Sequence, residues 1–254
     1  MKTVIKRYPN WEEMSRQGAG VIVEKARKAV KSKGFFTLVL AGGNTPLRTY
    51  QILAENYLDI FPWHKTYVFW GDERMVPPGD KQSNYKSAYE NMLSAVPIPE
   101  NHIFRIKGEK NNPAEAAREY KKTIGEFFET NNLLVKDDKA SCFPKFDLII
   151  LGMGADGHTA SLFPGSNVLE EDRSWVAVST APETSPASRR ITLTYPVINN
   201  SQVVLFLISG KKKLPLVNQV LKKSEGYEKW PVSGVKPDEE LYWIINNEEE
   251  NHEE

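Results

Sequence analysis

Six short apolar runs, separated by segments with helical patterns, constrain the fold of this chain more than any other feature. Residues within each run do not alternate between apolar and polar, as expected for strands that are buried on both faces of a sheet. The runs are residues 35–40, 65–70, 146–151, 175–180, 203–208 and 241–245. Buried strands separated by helices predict an α/β fold with a doubly wound, mostly parallel sheet flanked by helices.

Signals for helix boundaries lie between the apolar runs. Asn10 is a predicted N-cap with Glu13 three residues later, and Gly34 is placed to end that helix. Thr45 is the predicted N-cap of a second helix, with Pro46 at its first position. Further helices are predicted at 81–93, starting near Ser83, at 113–132 and at 212–223. A short strand followed by a turn or short helix is predicted for residues 189–201. Residues 133–145 are predicted to form a surface loop.

The charge of the chain is balanced, with 33 Lys and Arg residues against 33 Asp and Glu residues among 254. Nucleic acids and membranes are bound through basic surfaces, so this balance argues against both as partners and leaves a small-molecule ligand. We expect a single α/β domain over residues 1–246, as a monomer or small homo-oligomer. Residues 247–254 are acidic and are expected to form a disordered tail.

The single cysteine, Cys142, excludes an intramolecular disulfide and a Cys-rich zinc site. The N-terminus has no apolar segment typical of a signal peptide. No apolar run approaches the ~18 residues of a membrane-spanning helix. We therefore expect a cytoplasmic protein.

Glycine-rich or charged segments follow four of the predicted strands. They are AGGNTP (41–46), GDER (71–74), GMGADGHTAS (152–161) and SGKKK (209–213). Ligands of open parallel sheets bind beyond the carboxyl ends of the strands. We therefore expect these four segments to form one ligand site.

The first two segments have the residue types that bind phosphate or sugar. Gly42 and Gly43 allow backbone N–H groups to approach an anion at a helix N-terminus, although a plain tight turn explains them equally well. Arg74 can bind a phosphate with its planar guanidinium. Asp72 or Glu73 either holds that arginine or contacts sugar hydroxyls; a surface cluster of ion pairs is the alternative.

The third segment contains G-x-G-x-x-G, formed by Gly152, Gly154 and Gly157, directly after a predicted strand. It fits a dinucleotide-binding fingerprint poorly, because that motif belongs at the first strand-to-helix turn of its domain. Pro164-Gly165 also cuts the following helix short, and the acidic residue required ~20 positions later would be Glu183, next to a proline. The sequence thus predicts a substrate loop and no cofactor.

Of the four histidines, only His158 lies in a glycine-rich loop at the predicted carboxyl edge of the sheet; the others are His64, His102 and His252. An imidazole there can act as a general base near neutral pH, with a structural role as the alternative. The histidines form no H-E-x-x-H motif, so we expect no metal. There is no G-x-S-x-G nucleophile motif either, and Ser161 is at most a substrate contact.

Two local basic clusters occur in this neutral chain, Arg189-Arg190 and Lys211–Lys213. Arg190 opens a predicted strand, and Lys213 begins a predicted helix. Either residue can neutralise a phosphate dianion, whereas solvated surface charge is the alternative for both. Lys211 and Lys212 are expected at the surface.

Together, AGGNTP, WGDER followed by SN, GMGADGHTASLFPG and RRITLTYPVINNS resemble the 6-phosphogluconolactonase family, in order, over about residues 35–245. The GMG-x-DGHTASLFPG block is highly specific. The resemblance implies a Rossmann-like α/β fold and cytosolic hydrolysis of 6-phosphogluconolactone to 6-phosphogluconate in the pentose phosphate pathway, without cofactor or metal.

The resemblance also implies roles for individual residues. His158 matches the general base, Asp156 the acid before it, and Gly154 belongs to the same loop. Asn44 stands where the family usually has serine. The substrate-binding residues implied are Gly42, Gly43, Asn44, Asp72, Arg74, Gly154, Arg190 and Lys213, with doubt left about which of Lys211–Lys213 is the ligand.

Two other functions share this pattern. Glucosamine 6-phosphate deaminases are similar in fold and have a DGH-containing loop, but theirs continues toward Asn-Glu-Pro, whereas here Leu162-Phe163-Pro164-Gly165 follows. A non-catalytic sensor of sugar phosphates is the third possibility, against which the presence of His158 counts.

Overall fold

Seven strands form the central sheet of the chain. The computed structural model describes residues 1–131, 133–136, 142–182 and 187–247. The strands are β1 (Lys2–Tyr8), β2 (Phe36–Leu40), β3 (Thr66–Trp70), β4 (Asp72–Arg74), β5 (Ile103–Phe104), β6 (Leu134–Lys136), β7 (Cys142–Pro144), β8 (Leu148–Leu151), β9 (Val176–Thr180), β10 (Arg189–Leu193), β11 (Val203–Ile208) and β12 (Glu240–Asn246). The helices are α1 (Trp11–Lys33), α2 (Leu47–Asn56), α3 (Asn84–Asn91), α4 (Pro113–Thr130), α5 (Tyr195–Asn199) and α6 (Leu214–Leu221).

The strand order β1-β12-β11-β8-β2-β3-β5 and the parallel pairing of every neighbour confirm the predicted fold class. Strands β2, β8 and β11 are buried at every residue, which explains why their sequences do not alternate. From β2 the chain proceeds toward β3 and β5, and later from β8 toward β11 and β12. The strand order therefore reverses between β2 and β8, where open α/β sheets bind their ligands.

One of the six apolar runs, residues 175–180, and the short strand predicted within 189–201 lie outside this sheet. Strands β9 and β10 form a separate antiparallel sheet in the order β4-β10-β9. An apolar run indicates that a strand is buried but not which strand it pairs with, so the sequence did not separate the two sheets. The pairing of β10 with β4 sets Arg190 opposite Arg74 and Thr192 opposite Asp72.

The N-terminal strand β1 was not predicted. Most of its residues are exposed, and Lys2, Lys6 and Arg7 break the apolar pattern by which buried strands are recognised. Its register with β12, in which Lys2 pairs with Glu240, holds it at the edge of the sheet.

The prediction of a surface loop over residues 133–145 is wrong. Strands β6 and β7 lie within it and form a two-stranded antiparallel sheet. Each strand has three residues, too few for a periodicity to show. Residues 137–141 and residues 248–254 of the predicted tail lie outside the described residues.

Most of the predicted helix boundaries are confirmed. The Asn10 side chain accepts from the N–H of Glu13 at 2.8 Å, the Ser83 hydroxyl accepts from the N–H of Lys86 at 3.2 Å, and Gly34 ends α1 with φ of 91°. The predicted Thr45 cap is wrong, because α2 begins at Leu47 with Pro46 at the N-cap position. The N–H of Leu47 instead donates to the Asn44 carbonyl at 3.1 Å, closing a tight turn before the helix.

At the amino ends of β2 and β8, Asp147 connects the two central strands. Its Oδ2 accepts from the backbone N–H of Thr37 at 2.7 Å and from the Thr37 hydroxyl at 2.9 Å. Lys33 Nζ lies 2.9 Å from the same oxygen. Because Asp147 is only 3% exposed, these bonds form in a site from which water is largely excluded.

We expect Asp147→Ala to lower the free energy of unfolding by about 1–3 kcal/mol, because it leaves buried donors of Thr37 without their acceptor. Urea denaturation measures this change. The matched control is Asp238→Ala, which removes an ion pair with Lys145 at a 54% exposed side chain and is expected to cost about 0–1 kcal/mol. Equal losses in both variants would contradict the structural role of Asp147.

Candidate functional site

A cleft of about 190 Å³ lies where the strand order reverses, beyond the carboxyl ends of β2, β3 and β8. It brings together eight of the ten predicted site residues: Gly42, Gly43, Asn44, Asp72, Arg74, Gly154, His158 and Lys213. The other two, Asp156 and Arg190, do not line the cleft but lie beside residues that do. The four segments that follow the predicted strands therefore meet at one site.

The His158 side chain is held by Asp156. Its Nδ1 lies 2.6 Å from Asp156 Oδ1, which also accepts the backbone N–H of His158 at 3.2 Å. Burial alone would raise the pKa of Asp156, but the hydrogen bond and the charge of His158 outweigh it and lower that pKa below its usual value. An ionised Asp156 favours the proton on Nδ1, which leaves Nε2 as the basic nitrogen of the neutral ring.

Gly154 is required by the position of this imidazole. A Cβ on Gly154 would lie 2.2 Å from both Cε1 and Nδ1 of His158. The Gly154 N–H donates to the His158 carbonyl at 2.9 Å, so the loop folds back on itself. The Phe163 ring lies 4.7 Å from the imidazole, centroid to centroid. The imidazole thus contacts both the loop backbone and an aromatic side chain, and its exposed fraction is 33%.

Asp72 faces the cleft in a fixed orientation. Its Oδ2 accepts from the Ser161 hydroxyl at 2.6 Å, and its Oδ1 from the Asn84 amide at 3.3 Å. Ser161 is 1% exposed and does not line the cleft, so it orients Asp72 and is not the substrate contact that the sequence allowed. Two donors from other segments thus hold one carboxylate at the cleft wall.

Glu73 has a structural role. One of its oxygens accepts from the N–H groups of Arg74 and Asn84, at 2.7 and 2.9 Å, and the other from the Ser83 hydroxyl and the Tyr85 N–H, at 3.0 and 2.9 Å. Burial raises the pKa of Glu73 against the opposing effect of these N–H groups. The carboxylate therefore joins β4 to the first turn of α3, and of the two acids in GDER only Asp72 lines the cleft.

Arg74 and Arg190 place two positive charges on adjacent strands. Arg74 lines the cleft, and its Nη1 donates to the Gln82 carbonyl at 2.7 Å. Arg190, directly opposite, is 5% exposed. Burial lowers the pKa of Arg190, and the charge of Arg74 lowers it further, against the opposing effect of Asp72 and Glu73. Two guanidinium groups are thus placed at this end of the site together with the carboxylates of Asp72 and Glu73.

Asn84 is a site residue that the sequence did not single out beyond its place in the SN pair. It is 1% exposed, and its amide donates to the carbonyl of Asp72 at 2.9 Å. A Cβ on Gly42 would lie 1.9 Å from Asn84 Oδ1. Gly42 therefore has to be glycine so that the Asn84 side chain can lie against the turn. In the sequence, the only feature that could have pointed to Asn84 was its position directly after the Ser83 N-cap.

Lys213 lies at the N-cap position of α6 and lines the cleft. Lys211 and Lys212 are exposed and are not among the lining residues, as their predicted surface positions require. Gly210, with φ of 108°, turns the chain from β11 toward these lysines. Of the three lysines, only Lys213 lines the cleft.

Within the described part of the chain, no group of three or more His, Cys, Asp or Glu side chains is placed to hold a metal ion. None of its helices has the length and apolar character needed to cross a membrane.

Comparison with known proteins shows the family. Residues 9–243 match the model of the family described as glucosamine-6-phosphate isomerases/6-phosphogluconolactonase. The chain belongs to this family. It is an enzyme, a hydrolase, as the sequence predicted.

Individual relatives are similar over most of this chain. "6-phosphogluconolactonase 3, chloroplastic" of Arabidopsis thaliana is 39% identical over 86% of this chain, which spans 66% of that relative's length. A 6-phosphogluconolactonase of Nostoc sp. is 34% identical, with 97% of this chain and 96% of the relative covered. The structure of a 6-phosphogluconolactonase from Trypanosoma brucei superimposes with a TM-score of 0.84 at 29% identity and covers 97% of each chain.

We expect Gly154→Ala to displace the imidazole from Asp156, because the new methyl group would overlap the ring. The imidazole nitrogen signals of His158 in an NMR spectrum measure this displacement. The matched control is Gly152→Ala in the same loop, since a Cβ at Gly152 would meet nothing within 4 Å. Unchanged His158 signals in Gly154→Ala would contradict the close packing of ring and backbone.

Proposed function

We propose that this chain hydrolyses 6-phospho-D-glucono-1,5-lactone to 6-phosphogluconate, a step of the pentose phosphate pathway. The observation that carries the proposal is the His158–Asp156 pair beside a cleft that is also lined by Arg74 and Lys213. A base and an anion site in one cleft are what hydrolysis of a phosphorylated ester needs. The names of the relatives support the same substrate.

In this mechanism His158 is the general base. Nε2 takes a proton from water as the water oxygen forms a bond to C1 of the lactone. The tetrahedral oxyanion then collapses, the bond between C1 and the ring oxygen breaks, and the imidazolium returns the proton to that oxygen. Asp156 orients the ring and stabilises its charged form. A lactone is an activated ester, so the base needs to supply only about 10²–10⁴-fold.

The substrate phosphate is held by Arg74 and Lys213, with Arg190 adding positive potential from the neighbouring strand. The charges of the half-buried Arg74 and the buried Arg190 on adjacent strands repel each other, and a phosphate dianion bound near them and Lys213 would relieve that repulsion. Binding energy from the phosphate, remote from C1, then positions the ester carbonyl at His158. Gly42, Gly43 and Asn44 complete the wall of the cleft near the sugar.

Backbone N–H groups of the 152–157 loop are the proposed donors to the oxyanion. The N–H groups of Gly154 and Gly157 already donate within the loop, at 2.9 and 3.1 Å. The N–H groups of residues 152, 153, 155 and 156 are therefore the candidates.

Glucosamine 6-phosphate deamination is the second candidate, because the matched family model covers both kinds of enzyme. The chain continues after His158 through Leu162 and Phe163, both buried, and the 4.7 Å contact of Phe163 with the imidazole depends on this continuation. An assay of ammonia release from glucosamine 6-phosphate, run beside the lactone assay, separates the two. Binding of sugar phosphates without turnover of either substrate would instead support a non-catalytic sensor of sugar phosphates.

We also propose that residues 1–246 form one domain. The N-terminal strand β1 pairs with the C-terminal strand β12, and the buried apolar residues of both main sheets belong to one cluster. A cytoplasmic location and a monomeric or small homo-oligomeric state stay predictions; the name of the Arabidopsis thaliana relative places that protein in the chloroplast.

We expect His158→Ala to lower kcat by about 10²–10⁴-fold, with little change in KM, because the base acts on the transition state. Fresh lactone is assayed by coupling to 6-phosphogluconate dehydrogenase, with correction for spontaneous hydrolysis. The control is His64→Ala, an exposed histidine outside the cleft, which should keep wild-type kcat. If His158→Ala kept wild-type kcat, His158 would not be the general base.

We expect Arg74→Ala to raise KM for the phosphorylated lactone by about 10–100-fold, the loss of one or two charge-assisted hydrogen bonds. Hydrolysis of unphosphorylated D-glucono-1,5-lactone should hardly change, so the ratio of the two kcat/KM values is the measurement. Arg74→Lys keeps the charge but lacks the planar guanidinium, so its ratio of kcat/KM values should lie between those of wild type and Arg74→Ala. Arg173→Ala, at an 88% exposed side chain, is the control. Equal losses on both lactones would show that Arg74 does not bind the phosphate.

A further inference from the structure

The chain between α6 and β12 packs against the backbone of the His158 loop. Here the N–H of Val232 donates to the carbonyl of Gly157 at 3.0 Å. A Cβ on Gly157 would lie 3.0 Å from both Cβ and Cε3 of Trp230, and 3.2 Å from Cδ1 of Leu216. Trp230 is not among the residues that line the cleft. Its contact is with the loop that carries the base and not with the space for substrate.

Gly157 is the point at which this contact reaches the imidazole. It directly precedes His158 and has φ of 77°, and its N–H donates to the Gly154 carbonyl at 3.1 Å. Gly154 in turn lies directly beneath the imidazole, with no space for a Cβ. A shift of Gly157 therefore moves the backbone on both sides of the ring.

Trp230 is itself fixed in orientation. Its indole Nε1 donates to Oε1 of Gln219 on α6 at 3.0 Å. Its backbone N–H donates to the Tyr227 carbonyl at 3.2 Å, and its carbonyl accepts from the Ser233 N–H at 2.9 Å. The next residue, Pro231, is buried, and its carbonyl accepts from the Tyr195 hydroxyl. The indole is thus a rigid support and not a mobile surface side chain.

We propose that Trp230 is a positioning residue for the reaction: by packing against Gly157, it holds His158 on Asp156 in the geometry needed to activate water. The proposal rests on the proposed role of His158 as the base. It assigns a contribution to catalysis to a side chain that does not touch substrate. Small displacements of a catalytic group from a near-attack geometry are sufficient to lower the rate strongly.

The test compares steady-state constants for 6-phosphogluconolactone in four variants. Trp230→Ala opens the space beside Gly157 and is expected to lower kcat by about 10–100-fold with KM nearly unchanged. Trp230→Phe keeps a ring against Gly157 and should recover most of kcat. Gln219→Leu removes the bond that orients the indole and should give a smaller loss. Lys229→Ala removes only a cation 4.5 Å from the ring centroid and should match wild type.

A second measurement distinguishes a positioning role of Trp230 from a role in stability alone. Thermal unfolding gives the folded fraction of each variant, and the imidazole nitrogen signals of His158 report its environment. Positioning predicts shifted His158 signals and a low kcat per folded molecule. Wild-type kcat per folded Trp230→Ala, or an equally low kcat in Trp230→Phe and Lys229→Ala, would overturn the proposal. If His158→Ala also kept wild-type kcat, the proposed base mechanism would fall as well, so the two failures are distinguishable.

Discussion

The parallel pairing of β2 with β8 determines where the functional residues of this chain can lie. Leu38 pairs with Leu148 and Val39 with Ile149, in strands that are buried on both faces. At their amino ends, Asp147 bonds to both the backbone and the side chain of Thr37. At their carboxyl ends, the chain leaves in two directions because the strand order reverses there. The gap left between the departing segments is the cleft, so one pairing fixes both the stability of the centre and the location of the site.

Two side chains lie directly against the backbone at the wall of the cleft. Asn84 lies against Gly42, and the imidazole of His158 lies against Gly154, each at a distance that excludes a Cβ. These glycines allow a buried amide and the imidazole to approach the main chain closely. Ser161 then joins the two sides, since its hydroxyl donates to Asp72 three residues after His158 in the chain. The loop that carries His158 and strand β4, which carries Asp72 and Arg74, are therefore joined by a hydrogen bond.

The sequence predicts the parallel sheet and most of the site for a common physical reason. Buried strands require apolar runs, and sites beyond their carboxyl ends require glycine and charge, so both features are visible locally. What it does not predict depends on pairing between distant segments. Nothing in β9 and β10 distinguishes an antiparallel pair from two more parallel strands, and only this pairing sets Arg190 opposite Arg74. The role of Asn84 likewise depends on a contact with Gly42, 42 positions earlier in the numbering.

The charges of the site support the proposal that its substrate is a phosphorylated lactone and not a neutral one. Burial and the charge of Arg74 lower the pKa of the buried Arg190, against the opposing effect of Asp72 and Glu73. In the proposed mechanism a phosphate dianion near these arginines favours their charged forms, so that the phosphate end of the substrate supplies affinity. In that mechanism His158, oriented by Asp156, does not contribute to tight binding and needs only to be held in place. The proposed support from behind the loop, at Gly157 and Trp230, is therefore expected to affect the rate and not the affinity.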